Sequence, residues 1–266
     1  MLVFATGAHF FGSMLGMATE QEIWVRHYAG DFGRNAQTQA TLQSLSGGIS
    51  FAINPLVAAW TDAYGRRGMM LFAQLMSLLR CILSVRRPTV SSMVVGDLTR
   101  SITMSTWFIA SQASVGDLYK DDLATFSRVQ SFVQMMPPAM SIVCPLMGAS
   151  LAKVDLRLPF LVGAAIYLGT MVASVCALPE TCAAKDRVRF NWRVSNPTSF
   201  LKLFCRGAQL RSLAAVEALS SMVDGRATFS IGMLQRQQLL GWEMTERTRF
   251  MSYASAIYVR VLSRRP

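Results

Sequence analysis

Charged side chains are scarce in this 266-residue sequence, since Asp, Glu, Lys and Arg make up 15% of it and hydrophobic residues make up 52%. An ordinary soluble domain carries about 25% charged residues. The apolar content excludes a disordered chain. The five cysteines show no paired spacing, so neither a disulfide framework nor a zinc site is predicted.

Long apolar runs decide the class of protein. A membrane-spanning helix needs about 20 apolar residues and satisfies its own backbone hydrogen bonds. Four stretches contain no charged residue, namely 1–19, 35–61, 129–152 and 158–179. Three more qualify with ionisable residues inside them, namely 68–85, 90–116 and 210–232, and a short apolar piece lies at about 250–262. The sequence therefore predicts an all-α polytopic membrane protein with six or seven spans and a partial eighth.

The excess of positive charge is distributed by loop. A net charge of +11 would favour nucleic acid as the partner of a soluble protein. Here the connections after the second, fourth and sixth spans hold eleven Lys and Arg residues, and the other three hold six. By the positive-inside rule, the loops 62–68, 118–128 and 180–209 and the N-terminus are predicted to be cytosolic. The expected partner is the lipid bilayer, and no nucleic acid is expected.

The first apolar run could instead be a cleaved signal peptide, but no basic region precedes it. Gly12 and Gly16 stand four residues apart, a spacing that lets membrane helices approach closely, so we favour a retained helix. The basic stretch 180–209 divides the chain. We expect a six-helix bundle over 1–179, a cytosolic linker over 180–209, and an incomplete second bundle over 210–266 with helix 7 and part of helix 8.

The connection between the second and third spans is short and needs a tight turn. Gly65 can adopt the left-handed conformation of such a turn, and Arg66 and Arg67 can anchor at lipid phosphates. This loop resembles the signature of the major facilitator superfamily of secondary transporters, which is matched by Asp62, Gly65, Arg66 and Arg67. It departs from that signature at Ala58, where the family has glycine, and at Ala63, where it has a basic residue.

Further segments resemble the same family in the same order. Residues 115–118 are similar to the end of its fourth helix. Residues 144–149 keep Pro145 and Gly148 of the bend in its fifth helix. Residues 158–160 are similar to the start of its sixth helix, and 178–181 (Leu-Pro-Glu-Thr) are similar to a signature frequent in its drug:proton antiporter branch.

The resemblance implies transport of a small-molecule substrate by alternating access, coupled to protons. The family has about twelve helices in two related halves. Because helices nine to twelve are not recognisable here, the sequence is interpreted as a truncated transporter that ends after helix 7 or 8 and does not transport alone. The alternative is a non-transporting membrane protein, either a half-transporter remnant or an assembly partner.

Ionisable residues inside spans are the candidate functional residues, because a charge at the bilayer centre costs about 2.5–3.5 kcal/mol on insertion scales. In the family, helices one, four and seven line the central cavity, and these helices carry His9, Asp97, Arg100 and Glu217. Asp97 and Arg100 are three residues apart and can pair on one helix face, which either serves transport or only eases insertion. His9 either binds protons or packs between helices. Arg80 is expected to snorkel to the interface and receives no role.

No Gly-rich phosphate loop, nucleophile elbow or metal-ligand spacing occurs in the sequence. We therefore expect a protein that is not an enzyme and that uses neither a cofactor nor a metal.

Overall fold

A computed structural model describes residues 1–29, 31–190, 207–223 and 240–262. These residues form helices and no strands, so the predicted all-α fold is confirmed. In chain order the helices are α1 (Leu2–Leu15), α2 (Met17–His27), α3 (Phe32–Tyr64), α4 (Arg66–Arg86), α5 (Val90–Leu118), α6 (Leu123–Val154), α7 (Leu158–Ala177), α8 (Ala208–Val223) and α9 (Met244–Leu262). A short 3₁₀ turn, Ala184–Asp186, follows α7.

Within the described part of the chain, four segments are long and apolar enough to cross a membrane: Leu2–His27, Arg66–Arg86, Leu123–Val154 and Leu158–Ala177. The first of them comprises α1 and α2. α3, with 33 residues, and α5, with 29 residues, also exceed the length that a span requires. The six spans expected before residue 180 are therefore all present as helices.

One predicted boundary needs correction, and a second falls partly outside the described residues. The first span was expected to end at residue 19, but the helix resumes after Gly16 and continues to His27. The predicted segment 210–232 is described only up to Val223. Its residues Asp224 and Arg226 lie outside the described residues, and so does the side chain of Glu217.

Packing of the helices follows from their small residues and apolar faces. α4 packs against α5 and α7, α1 lies against α6 and α7, α3 packs against α5, and α9 packs against α6. Trp107, Phe10, Met70 and Ala73 belong to the largest buried apolar cluster. This arrangement brings α1, α4, α5 and α7 around a common interior.

Glycines mark the closest helix crossings. A Cβ added at Gly12 would meet the ring of Tyr167 at 2.9 Å, and one added at Gly16 would meet the ring of Phe160 at 2.7 Å. The close approach expected from their spacing is therefore confirmed, with α7 as the partner helix. At Gly148 on α6, an added Cβ would overlap the backbone carbonyl oxygen of Leu15.

Side-chain caps fix the starts of three helices. Asp31, Thr89 and Asp122 accept hydrogen bonds from backbone N–H groups in the first turns of α3, α5 and α6. Hydrogen bonds from the hydroxyl and backbone N–H of Thr125 hold the pKa of the Asp122 carboxyl below its ordinary value of 3.8. The cap is therefore formed at neutral pH and weakens only as the pH falls through that lowered pKa.

Candidate functional site

Four charged side chains meet inside the bundle, and we call them the inner charge cluster: Glu20, Arg80, Asp97 and Arg100. One carboxylate oxygen of Glu20, Oε1, accepts a hydrogen bond from Arg80 Nη1 at 3.0 Å. The other, Oε2, accepts one from Arg100 Nη1 at 2.7 Å. Arg100 also forms an ion pair with Asp97 through its Nη2 atom. The cluster holds two cations and two anions, so its formal charge is zero.

The inner charge cluster links three spans, because Glu20 lies on α2, Arg80 on α4, and Asp97 and Arg100 on α5. Arg80 lies six residues before the end of α4, and Arg100 lies ten residues after the start of α5. At 1.5 Å per residue, the cluster is roughly 9–15 Å from those helix ends. It therefore lies within the spans and not at their ends.

Exposure is graded across the cluster. The Arg80 side chain is 3% exposed and that of Glu20 is 11% exposed, whereas Asp97 is 25% exposed. Asp97 is thus the more exposed of the two carboxylates. Glu20, which holds both arginines, is the more enclosed of the two acids.

The sequence predicted part of this cluster. The pairing of Asp97 with Arg100 is confirmed. The prediction for Arg80 is wrong, because its guanidinium is buried against Glu20 and does not reach an interface. Glu20 was missed because the first span was ended one residue before it. A usable signal was present: Glu20 shares a buried helix face with Ile23 and Trp24, at spacings of three and four residues.

His9 lies apart from the inner charge cluster, roughly 16 Å before Glu20 along the helical axis. Its ring is fully buried and stacks on Trp107 with a centroid distance of 4.5 Å. Tyr167 presents its ring edge to His9 at 5.4 Å and donates a hydrogen bond to the His9 carbonyl oxygen at 3.0 Å. Neither imidazole nitrogen has a hydrogen-bond partner among the described residues. These contacts favour the packing interpretation of His9.

A second group of charges lies where α3 meets α4, and we call it the loop cluster: Asp62, Arg66, Asp117 and Glu180. Arg66 forms an ion pair with Asp62, and its Nε donates to Asp117 Oδ2 at 3.2 Å. The backbone N–H of Arg66 donates to Glu180 Oε1 at 2.9 Å. The cluster therefore ties the α3–α4 turn to the end of α5 and to the segment after α7.

Gly65 makes this turn possible. Its φ of +96° lies in the region that glycine favours, and an added Cβ would overlap the Glu180 carboxylate. Arg67 donates a hydrogen bond to the carbonyl oxygen of Val175 near the end of α7. Sequence patterns identified the segments of Asp117 and Glu180 separately, and the structure brings both onto one arginine.

Neither cluster has the composition of a metal site. Across the described ranges, no group of three or more His, Cys, Asp or Glu side chains is placed to hold a metal ion. Both clusters are networks of ion pairs between helices. Each network ties helices together through carboxylates and guanidinium groups that can exchange partners.

Comparison with known proteins identifies the family. Residues 2–264 match the sequence profile of the Major Facilitator Superfamily. The chain belongs to the Major Facilitator Superfamily. The superfamily consists of transport proteins, so this is an integral, multi-pass membrane protein of a transporter family. No curated protein sequence matches the chain.

Solved structures of the superfamily share the fold. The human organic anion transporter MFSD10 (TETRAN) superposes with a TM-score of 0.72 at 16% identity, covering 96% of this chain and 69% of that one. A peptide transporter, POT, solved with sulfate, superposes with a TM-score of 0.53 at 18% identity, covering 99% of this chain and 52% of that one. The same transporter without sulfate superposes with a TM-score of 0.53, and the superposition covers 53% of that chain. The chain thus spans about two thirds of the length of MFSD10 and about half of the length of the peptide transporter.

Proposed function

We propose that this protein moves a small organic solute across the membrane by alternating access and couples that movement to protons. The inner charge cluster is the observation that carries the proposal. A charged residue at the bilayer centre costs about 2.5–3.5 kcal/mol on insertion scales, and charges retained there commonly serve ion or substrate movement. Four charged residues inside three spans exceed what one i,i+3 pair needs to ease insertion.

The proton-coupling step follows from the charges in the cluster. Asp97 is the more exposed carboxylate of the inner charge cluster, and in this proposal it is the group that accepts the proton. Protonation of Asp97 changes the cluster charge from zero to +1 and ends its ion pair with Arg100. Arg100 then depends on Glu20 alone, which it shares with Arg80. The cluster can therefore hold a proton or lose one, with a different set of contacts between α2, α4 and α5 in each state.

An organic anion is the substrate class that this chemistry favours. A cluster that gains one positive charge attracts an anionic solute, so proton and anion binding assist each other. The described function of the structural relative MFSD10, organic anion transport, agrees with this class. The Leu-Pro-Glu-Thr segment at 178–181 resembles a signature frequent in the drug:proton antiporter branch, and on this segment we propose kinship with that branch. Joint binding of a proton and an anion describes symport, so the proposed coupling differs from antiport. Glu217 remains a candidate cavity residue in this proposal, whereas the contacts of His9 favour a packing role.

The 266 residues are proposed to form a six-helix bundle over 1–179, a linker over 180–209 and the start of a second bundle over 210–266. Alternating access requires two bundles that rock against each other, and the described part of the second consists of α8 and α9. We expect flux only where a complete second bundle is supplied. A non-transporting membrane protein is the alternative.

A measurement of solute flux distinguishes the transporter from the non-transporting alternative. Vesicles that contain the transporter with a complete second bundle are expected to take up a labelled organic anion saturably under a pH gradient, and a protonophore is expected to abolish that uptake. Liposomes with the 266 residues alone are expected to show none. Absence of saturable flux in both preparations, across organic anions and drugs, would favour the non-transporting alternative.

Asp62→Asn is expected to slow transport without affecting membrane insertion. The loop cluster latches the α3–α4 turn to α5 and to the segment after α7, and this change removes one anion from Arg66. Uptake at equal surface expression is the measurement, with Asp121→Asn in the neighbouring loop as the matched control. If the Asp62 variant took up substrate as fast as the wild type, the loop cluster would have only a structural role in the turn.

The orientation of the bundle is a further part of the proposal: the N-terminus and the loops 62–68, 118–128 and 180–209 face the cytosol. A single cysteine at Lys185 is expected to react with an impermeant maleimide only after permeabilisation. A cysteine that replaces Asp155, in the connection between α6 and α7 at the opposite end of the bundle, is expected to react in intact cells. The reverse pattern would invert the proposed orientation.

A further inference from the structure

A small cavity lies between α6 and α9, outside both charge clusters. Its volume is about 180 Å³. Its polar lining consists of Ser150 and Lys153 from α6 and Thr245, Thr248 and Arg249 from α9. The cavity therefore bridges the first six spans and a helix that follows the linker.

The polar lining of this cavity consists of cations and hydroxyls. Lys153 and Arg249 form no ion pair with any other residue that the structure describes. Asp155 and Glu246 flank the cavity residues in the sequence and keep their negative charges, and neither forms an ion pair with Lys153 or Arg249. Asp155 accepts a hydrogen bond from the backbone N–H of Arg157 at 2.8 Å, and Glu246 accepts one from the backbone N–H of Glu243 at 3.0 Å. Two cations, the Thr245 hydroxyl and the N-terminal turn of α9 thus line one space, whereas the Ser150 hydroxyl donates to the carbonyl oxygen of Leu146 at 2.9 Å.

We propose that this cavity binds the phosphate group of an anionic phospholipid. Phosphate oxygens accept hydrogen bonds from lysine, arginine and hydroxyl groups, and the phosphate charge compensates the two cations. Pockets for drug-sized solutes measure about 300–1,000 Å³, so a cavity of 180 Å³ fits a headgroup and not a transported drug.

The apolar surroundings favour a lipid over a soluble phosphate. On α6, Val143 and Met147 are 46% and 42% exposed, and on α9, Tyr253 and Ile257 are 70% and 64% exposed. These side chains lie within about two turns of a lining residue along the same two helices, where acyl chains can pack. A bound lipid would contact α6 and α9 together, and its occupancy would stabilise the contact between them.

Thermal unfolding of the purified protein in neutral detergent tests the proposal. The additives are phosphatidylglycerol, phosphatidylcholine and glycerol 3-phosphate, and the variant is Lys153→Gln with Arg249→Gln. Arg128→Gln, an exposed cation at the other end of α6, is the matched control. Native mass spectrometry of the same samples counts bound lipid, so a variant with altered stability still reports on binding.

Phosphatidylglycerol is expected to raise the unfolding temperature of the wild type and of the Arg128 variant, and the double variant is expected to bind it about 30-fold more weakly. Phosphatidylcholine and glycerol 3-phosphate are expected to have little effect. An equal shift in the double variant, an equal shift with phosphatidylcholine, or no shift in the wild type would overturn the proposal. A larger shift with glycerol 3-phosphate would assign the cavity to a soluble phosphate.

Discussion

Glu20→Gln is expected to destabilise the protein strongly, and a second substitution, Arg80→Gln, is expected to restore it. The first change leaves two buried arginines with Asp97 as their one remaining anion. Removing one partner of a buried ion pair costs about 3–5 kcal/mol, whereas replacing both partners with neutral groups is often close to neutral. The double variant retains the Asp97–Arg100 pair and a formal charge of zero.

The measurement is the unfolding temperature of the purified variants, with Glu22→Gln as the matched control. Glu22 lies two residues further along α2 and pairs with the exposed Arg26, so its substitution is expected to cost at most about 1 kcal/mol. If the effects of Glu20→Gln and Arg80→Gln simply added in the double variant, the bridging role of Glu20 would be wrong.

Gly148→Ala is expected to lower stability by about 1–3 kcal/mol or to prevent folding, because a methyl group there overlaps the carbonyl oxygen of Leu15. That oxygen belongs to the backbone and cannot rotate away. The α1–α6 contact must therefore open, and it lies next to the break between α1 and α2.

Gly169→Ala on α7 is the matched control for this change. Nothing lies within 4 Å of a Cβ added at Gly169, so alanine there is expected to be neutral or stabilising by up to about 1 kcal/mol. Yield of folded protein and unfolding temperature are compared side by side. Equal behaviour of the two variants would contradict the tight α1–α6 approach.

Much of the fold was predictable because the bilayer imposes a simple requirement on sequence. Charge-free runs of about 20 residues identify spans without knowledge of what they pack against. The Asp97–Arg100 pair was predictable for a similar reason, since an i,i+3 spacing fixes the helix face. Both inferences need only local geometry.

The rest of the site depends on contacts between distant segments. Glu20 and Arg80 are 60 residues apart, and Arg66 and Glu180 are 114 residues apart. Once Arg80 is buried, its charge needs a buried anion as a partner, but sequence spacing did not indicate which acid that is. The helix break at Gly16 made the choice harder, because Glu20 was taken to lie in the loop beyond the span. Knowledge of the packing of α2 against α5 was required to place it.

The most direct test of the proposed mechanism is proton-driven uptake by the variant Asp97→Asn, which lacks the carboxylate that is proposed to accept the proton. Transporter with a complete second bundle is placed in vesicles, a pH gradient is imposed, and uptake of a labelled organic anion is followed for the wild type and for equal amounts of the folded variant. The wild type is expected to accumulate the anion, and the variant is expected to lose this dependence on the gradient. Identical gradient-driven uptake by both proteins would contradict a coupling role for the inner charge cluster.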